Sequence, residues 1–143
     1  MEASHLNHEA QELLFKEDLT EEDIDMLSNA FAGTNEDIAN LLADAIRHSD
    51  PAIRAGIGHS YSQGEAKDEA GIIEKMETPL AIIHGQEDQL INADYFNQVS
   101  MPTLWQEKVH YIDKASHCPQ LENPPAFNDL LKDFTEYAAK SKG

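Results

Sequence analysis

A short apolar run, TPLAIIHG at positions 78–85, limits the fold of this chain more than any other feature. A proline opens the run, a glycine closes it, and polar residues do not alternate with the apolar ones. Such a run is typical of a strand that is buried on both faces, as in a parallel sheet covered by helices. We therefore expect a strand over residues 79–84 inside an α/β sheet.

The segments after this run alternate between helix and strand. KVHYID, residues 108–113, is a second strand candidate, and NADYFNQV, residues 92–99, predicts a helix between the two. Asn123 and Pro124 are typical of the cap and first position of a long final helix. Its predicted buried stripe contains Phe127, Leu130, Leu131, Phe134 and Ala138. This order of elements predicts an α/β fold with a few parallel strands flanked by helices.

Residues 1–77 have a different texture and predict short helices. Thr20 and Thr34 each precede an aspartate by three residues, and Asp50 precedes Pro51, so each pattern predicts a helix start. The region holds 18 Asp and Glu against 5 Lys and Arg, and it carries most of the net charge of −17. We therefore divide the chain into a helical region, residues 1–77, and an α/β region, residues 78–143.

The charge and the apolar pattern exclude several classes of partner. An acidic surface repels phosphate backbones, so we expect no nucleic acid partner. An acidic mimic of nucleic acid or a binder of basic proteins stays open, but a solvated acidic surface is the simpler interpretation. No apolar run approaches the ~20 residues that cross a bilayer, and the first residues lack the pattern of a signal peptide. With a single cysteine, the sequence favours a cytoplasmic protein without membrane contact.

Two residues with hydrolytic chemistry follow the two predicted strands. HGQEDQ places Asp88 after the first strand, and DKASHC places His117 after the second. In a parallel sheet, the carboxyl ends of neighbouring strands meet at one edge, where chemistry is usually located. A carboxylate that orients a histidine base is the second half of a hydrolytic triad. We therefore expect these two side chains to form a hydrogen bond.

Other roles for the histidine segment have to be weighed against this one. A metal site at His117 and Cys118 would need further ligands at zinc-like spacing, and the sequence has none. Cys118 as a nucleophile is disfavoured because a histidine seldom points at its neighbour in the chain. A plain core histidine is the strongest alternative for His117. Glu122 is interpreted as structural, because it lies near the start of the final helix.

Residues 78–136 resemble the C-terminal part of an α/β-hydrolase. TPLAIIHGQED is similar to the strand of that family that ends in Gly-x-x-Asp, and ASHCPQLENPPAFNDLLKDF is similar to its catalytic histidine segment. The resemblance implies that Asp88 is the triad acid and His117 the base, without cofactor or metal. It also implies that residues 1–77 form a cap-like region. Ser116 departs from the pattern, since the family usually has glycine before the histidine.

The resemblance does not extend to a nucleophile. The family carries it in a Gly-x-Ser-x-Gly turn between a strand and a helix. The nearest match is GIGHSYSQG with Ser60, but no buried strand precedes it, so we interpret this stretch as a cap or hinge loop. The expected protein is a partial esterase-like or lipase-like hydrolase that is inactive alone. A truncated product, a fragment and one half of a split enzyme are all compatible with this pattern.

The missing strands lead to an expectation about partners. A strand that is apolar on both faces needs neighbours on both edges, and the chain offers only one other convincing strand. We therefore expect a homo-oligomer or a complex with a complementing N-terminal hydrolase chain, which would act on a small-molecule substrate. The alternative is a non-catalytic acidic module for interaction or oligomerisation, derived from a hydrolase.

Overall fold

The chain folds as a group of helices followed by a small sheet with further helices. The computed structural model describes residues 8–65 and 67–141. The helices are α1 His8–Leu13, α2 Glu21–Ala32, α3 Glu36–His48, α4 Pro51–Ser62, α5 Glu69–Ile73, α6 Pro119–Glu122 and α7 Pro124–Lys140, and the strands are β1 Ile83–Gly85 and β2 His110–Ile112. None of the helices in these described ranges has the length and apolar character needed to cross a membrane.

Local capping sets most of the helix starts. The hydroxyl of Thr20 accepts a hydrogen bond from the N–H of Asp23, and the Asp23 carboxylate accepts one from the Thr20 N–H, as predicted. The prediction that Thr34 caps α3 is wrong, because Asn35 accepts from the N–H of Ile38 at 3.2 Å. The physical reason is Gly33, whose φ of +59° turns the chain out of α2 and delays the next helix by one residue.

The two predicted strands form a parallel pair. Ile83 pairs with His110 and Gly85 with Ile112, and an isolated bridge joins Leu80 to Leu104. The strand is shorter than the predicted residues 79–84, and the prediction of burial on both faces is wrong for residues 80–83, which are half-buried. Within the described residues the sheet has two strands, so too little structure surrounds the apolar run to cover both faces.

The predicted final helix is present, but its apolar stripe is incompletely covered. Asn123 caps α7, as predicted, by accepting from the N–H of Ala126. Phe134 lies against Trp105 with ring centroids 5.6 Å apart, and the stripe as a whole is half-buried. Leu131, predicted to be buried, is 43% exposed. The helix is amphipathic, but the small sheet covers only part of its apolar face.

The best-packed cluster joins the helical region to the α/β region. It contains Ala10 and Leu13 of α1, Leu27 and Ala30 of α2, and Leu90. Leu90 follows Asp88 by two residues, so the turn after β1 is anchored among the helices. This packing positions α2 beside the carboxyl ends of both strands.

The segment of residues 92–99, which was predicted as a helix, contains a single 3₁₀ helix, Ala93–Gln98.

Candidate active site

The carboxylate of Asp88 lies just beyond the carboxyl end of β1. Its Oδ1 accepts hydrogen bonds from the N–H groups of Leu90 at 2.8 Å and Ile91 at 3.2 Å. Its Oδ2 lies 3.0 Å from Nδ1 of His117. One oxygen therefore holds the turn and the other binds the imidazole. The structure confirms the predicted contact between these two side chains, and their catalytic role stays a prediction.

Hydrogen bonds from three consecutive N–H groups hold the loop that carries His117. The N–H of Ser116 donates to the Glu122 carboxylate at 2.6 Å, and the N–H of Cys118 donates to it at 3.0 Å. The N–H of His117 donates to the carbonyl oxygen of Phe31, at the end of α2, at 3.2 Å. Glu122 is thus a loop-fixing residue, in agreement with its predicted structural role, and α2 supplies the third support.

The imidazole of His117 has one nitrogen in use and one available. Nδ1 binds Asp88, whereas no hydrogen-bond partner for Nε2 is found among the described residues. The Phe31 ring lies 5.1 Å from the imidazole, centroid to centroid, and the His117 side chain is 30% exposed. The ring is therefore sheltered on one side and can still exchange a proton through Nε2.

The surroundings of Asp88 keep its carboxyl ionised beside the imidazole of His117. The carboxyl is 4% exposed, and this burial raises its pKa. Hydrogen bonds from His117 and from the N–H of Leu90 lower the pKa by more than burial raises it, so the net pKa of Asp88 is below the usual value. Asp88 is therefore ionised at neutral pH. A carboxylate at Nδ1 favours the tautomer with its proton there, which leaves the lone pair on Nε2.

A second histidine, His84, also approaches Asp88, and the sequence did not reveal it. Its Nδ1 lies 3.5 Å from Oδ2 of Asp88, and the side chain is buried in β1. Burial lowers the pKa of His84, so at neutral pH it stays uncharged. The rings of Phe96 and Tyr111 meet it edge-on. The available signal was its spacing of four residues from Asp88, across a tight turn.

Gly85 permits the close approach of the loops that carry Asp88 and His117. A Cβ atom at this position would overlap the carbonyl oxygen of Ser116. The Gly-x-x-Asp pattern is therefore a packing requirement here. The unusual Ser116 keeps an ordinary backbone, since the left-handed residue of this loop is Lys114, with φ of +55°. The buried hydroxyl of Ser116 has no hydrogen-bond partner among the described residues.

The other candidates are not combined with this pair. Ser60 lies inside α4, where its hydroxyl donates to Glu65 at 2.7 Å, so the predicted cap or hinge loop is a helix at this point. Cys118 is buried, and burial raises the pKa of its thiol, which makes it a poor nucleophile. Within residues 8–65 and 67–141, no group of three or more His, Cys, Asp or Glu side chains is arranged to hold a metal ion.

Comparison with known proteins identifies the fold. No protein family model matches the chain, and no curated protein matches it in sequence. The chain is similar in structure to a variant of N-acyl homoserine lactonase AidH bound to N-hexanoyl homoserine lactone, with a TM-score of 0.82 and 21% identity over 96% of this chain and 50% of that one.

Two further solved structures agree with this result. An esterase from Rhodococcus sp. ECU1013 matches with a TM-score of 0.73 and 16% identity, over 95% of this chain and 49% of that one. A variant of the meta-cleavage product hydrolase CumD matches with a TM-score of 0.68 and 18% identity, over 95% and 54%. The chain spans about half the length of these proteins. It therefore has the fold of the C-terminal portion of an α/β-hydrolase.

Proposed function

We propose that the chain is a partial α/β-hydrolase, esterase-like or lipase-like, in which Asp88 and His117 are the triad acid and base. The observation that carries the proposal is the 3.0 Å contact between Oδ2 of Asp88 and Nδ1 of His117. The two residues follow adjacent parallel strands, where α/β folds place their chemistry. The lactonase, esterase and meta-cleavage product hydrolase that share the fold give the proposal further support.

In the proposed reaction, Nε2 of His117 takes the proton of a nucleophile and later returns it to the leaving group. Asp88 holds the tautomer and stabilises the imidazolium that forms. The nucleophile and the oxyanion donors come from a second, N-terminal hydrolase chain, and the substrate is a small molecule. Since these groups supply most of the rate enhancement, we expect hydrolysis by this chain alone to be near background.

Residues 1–77 would cover the site as a cap. This assignment is supported by the contacts of α2, because Phe31 touches the imidazole and accepts a hydrogen bond from the backbone of His117. Gly33, at the end of the same helix, lies close enough to Ser116 that an added Cβ would sit 3.0 Å from its Cβ. A cytoplasmic location for the complex stays a prediction from the sequence.

A complementation experiment tests the function. The chain is fused behind the N-terminal half of AidH, and hydrolysis of an aryl ester is measured. We expect activity in the fusion that Asp88→Asn and His117→Gln each abolish and that the matched control Ser60→Ala leaves unchanged. Activity that survives His117→Gln, or a folded fusion without activity, argues against the proposal. Ester hydrolysis by the isolated chain that Ser60→Ala abolishes would identify Ser60 as the nucleophile.

A non-catalytic module for interaction or oligomerisation is the second candidate, and the exposed apolar side chains support association with a partner. Tyr111 of β2 and Leu131 and Tyr137 of α7 are each more than 40% exposed. This surface suits a homo-oligomer or the complementing chain equally. Light scattering over a range of concentrations tests association. A single monomeric species with a cooperative melt would contradict both kinds of partner.

A further inference from the structure

The buried carboxylate of Asp88 has more acceptor sites than the three hydrogen bonds from Leu90, Ile91 and His117 fill. The two oxygens of an ionised carboxylate offer about four lone-pair sites. Two N–H groups bind Oδ1, whereas Oδ2 has a hydrogen bond with Nδ1 of His117 alone. A buried charge is costly unless hydrogen bonds satisfy its remaining lone pairs. The free site on Oδ2 therefore calls for a further donor.

The imidazole of His84 lies beside this oxygen. Its Nδ1 is 3.5 Å from Oδ2 of Asp88, and the side chain is buried. The rings of Phe96 and Tyr111 meet the imidazole edge-on, with centroids 5.2 and 5.7 Å away. These contacts hold the imidazole of His84 on one side of Oδ2, while His117 approaches the same oxygen from the loop after β2.

The protonation of His84 decides what its imidazole can offer to Asp88. Because burial lowers the pKa of His84, the ring is uncharged at neutral pH and donates only through the nitrogen that carries its proton. The separation of 3.5 Å exceeds the range of about 2.7–3.2 Å for ordinary hydrogen bonds. Hydrogen bonds at catalytic sites are often long in the free protein and tighten in the complete one. A movement of about 0.5 Å would close this one.

We infer that His84 is a positioning residue for Asp88, to which it donates the fourth hydrogen bond through the N–H of Nδ1. In the proposed reaction, Asp88 has to stay ionised while His117 takes the proton of the nucleophile. A second imidazole N–H on Oδ2 stabilises the carboxylate and so helps to keep that proton on His117. This catalytic consequence rests on the proposed function, whereas the hydrogen bond itself does not.

The titratable groups that face His84 come from three elements. They are Asp88 on the turn after β1, Tyr111 of β2, and His117 on the loop after β2. Phe96 of the 3₁₀ helix adds an uncharged ring. Since His117 binds the same carboxylate oxygen, a test of His84 has to leave His117 in place.

Imidazole NMR on the full chain tests the hydrogen bond at neutral pH, without any substitution. Long-range proton–nitrogen correlation spectra show which ring nitrogen carries the proton. We expect the proton of His84 on Nδ1 and a bare Nε2. A bare Nδ1 would overturn the inference, because that nitrogen would then present a lone pair to the carboxylate of Asp88.

Three substitutions separate the donor from the ring. His84→Phe keeps an aromatic ring and removes the donor, so the pKa of Asp88, followed by its carboxyl carbon signal, should rise. His84→Gln restores an N–H donor and should bring that pKa back towards the parent value. His110→Phe is the matched control, since His110 is also buried, lies on the neighbouring strand and stacks on Trp105. An Asp88 pKa that is the same in His84→Phe and in the control argues against the inference.

Kinetics of the complemented protein separate this inference from the proposed function. His84→Phe should lower kcat about tenfold or more and change KM less than about twofold, because a lost hydrogen bond to the charged Asp88 affects the proton transfer and not substrate binding. An unchanged kcat would exclude the positioning role. A complemented protein without hydrolysis, together with the expected His84 tautomer and Asp88 pKa, would contradict only the hydrolase proposal.

Discussion

Glu122 is expected to hold the loop that carries His117, and its removal is the sharpest test of the site. Its carboxylate accepts the N–H groups of Ser116 and Cys118, the two neighbours of His117. Both neighbours are buried, at 2% and 8% exposure. Glu122→Ala therefore leaves the N–H groups of these two buried residues without their acceptor.

The size of the effect follows from those two hydrogen bonds. Each buried donor left unpaired costs about 1–3 kcal/mol, so Glu122→Ala should lower the free energy of unfolding by about 2–6 kcal/mol. Glu122→Gln keeps one carbonyl oxygen as an acceptor and should lose about half as much. Since a domain is typically stable by about 5–15 kcal/mol, the alanine variant should lose a large share of its stability.

Urea unfolding followed by circular dichroism measures the loss, and the imidazole NMR signals of His117 report whether its bond to Asp88 persists. Glu136→Ala on the exposed face of α7 is the matched control and should stay within about 0.5 kcal/mol of the parent. An alanine variant at Glu122 that is as stable as this control, with unchanged His117 signals, would refute the assigned role.

Three further predictions follow from the site. Gly85→Ala should lower the free energy of unfolding by about 1–3 kcal/mol, measured in urea, because its Cβ would overlap the carbonyl oxygen of Ser116; an unchanged midpoint would contradict this. His117→Gln should raise the pKa of Asp88, measured from its carboxyl carbon by NMR, because burial then meets fewer opposing hydrogen bonds. The lowered pKa of His84 means that the unfolded chain binds more protons, so its contribution to stability is complete above pH 6.5 and is lost as pH falls from there towards the folded pKa. His84→Gln should therefore flatten the stability profile below pH 6.5, and an equally steep profile would exclude this role.

Local features of the sequence predicted the elements well where the interactions are themselves local. Thr20 with Asp23, and Asn123 with Pro124, begin helices in the structure because a cap joins residues two or three positions apart. The prediction that Thr34 caps a helix was wrong for a reason that is also local, since the turn at Gly33 shifted the cap by one residue. The parallel pairing of two apolar segments was also predictable from their pattern.

The sequence alone determined that a carboxylate and an imidazole follow two neighbouring strands, and therefore that Asp88 and His117 could meet. Only the tertiary structure decided what surrounds them. His84 reaches Asp88 across a tight turn, and Phe31 reaches His117 from a helix more than eighty residues earlier in the chain. The tertiary structure also decided how far β1 and α7 are buried, because their coverage depends on which segments surround them. Residue patterns show which faces are apolar, but only packing shows what covers them.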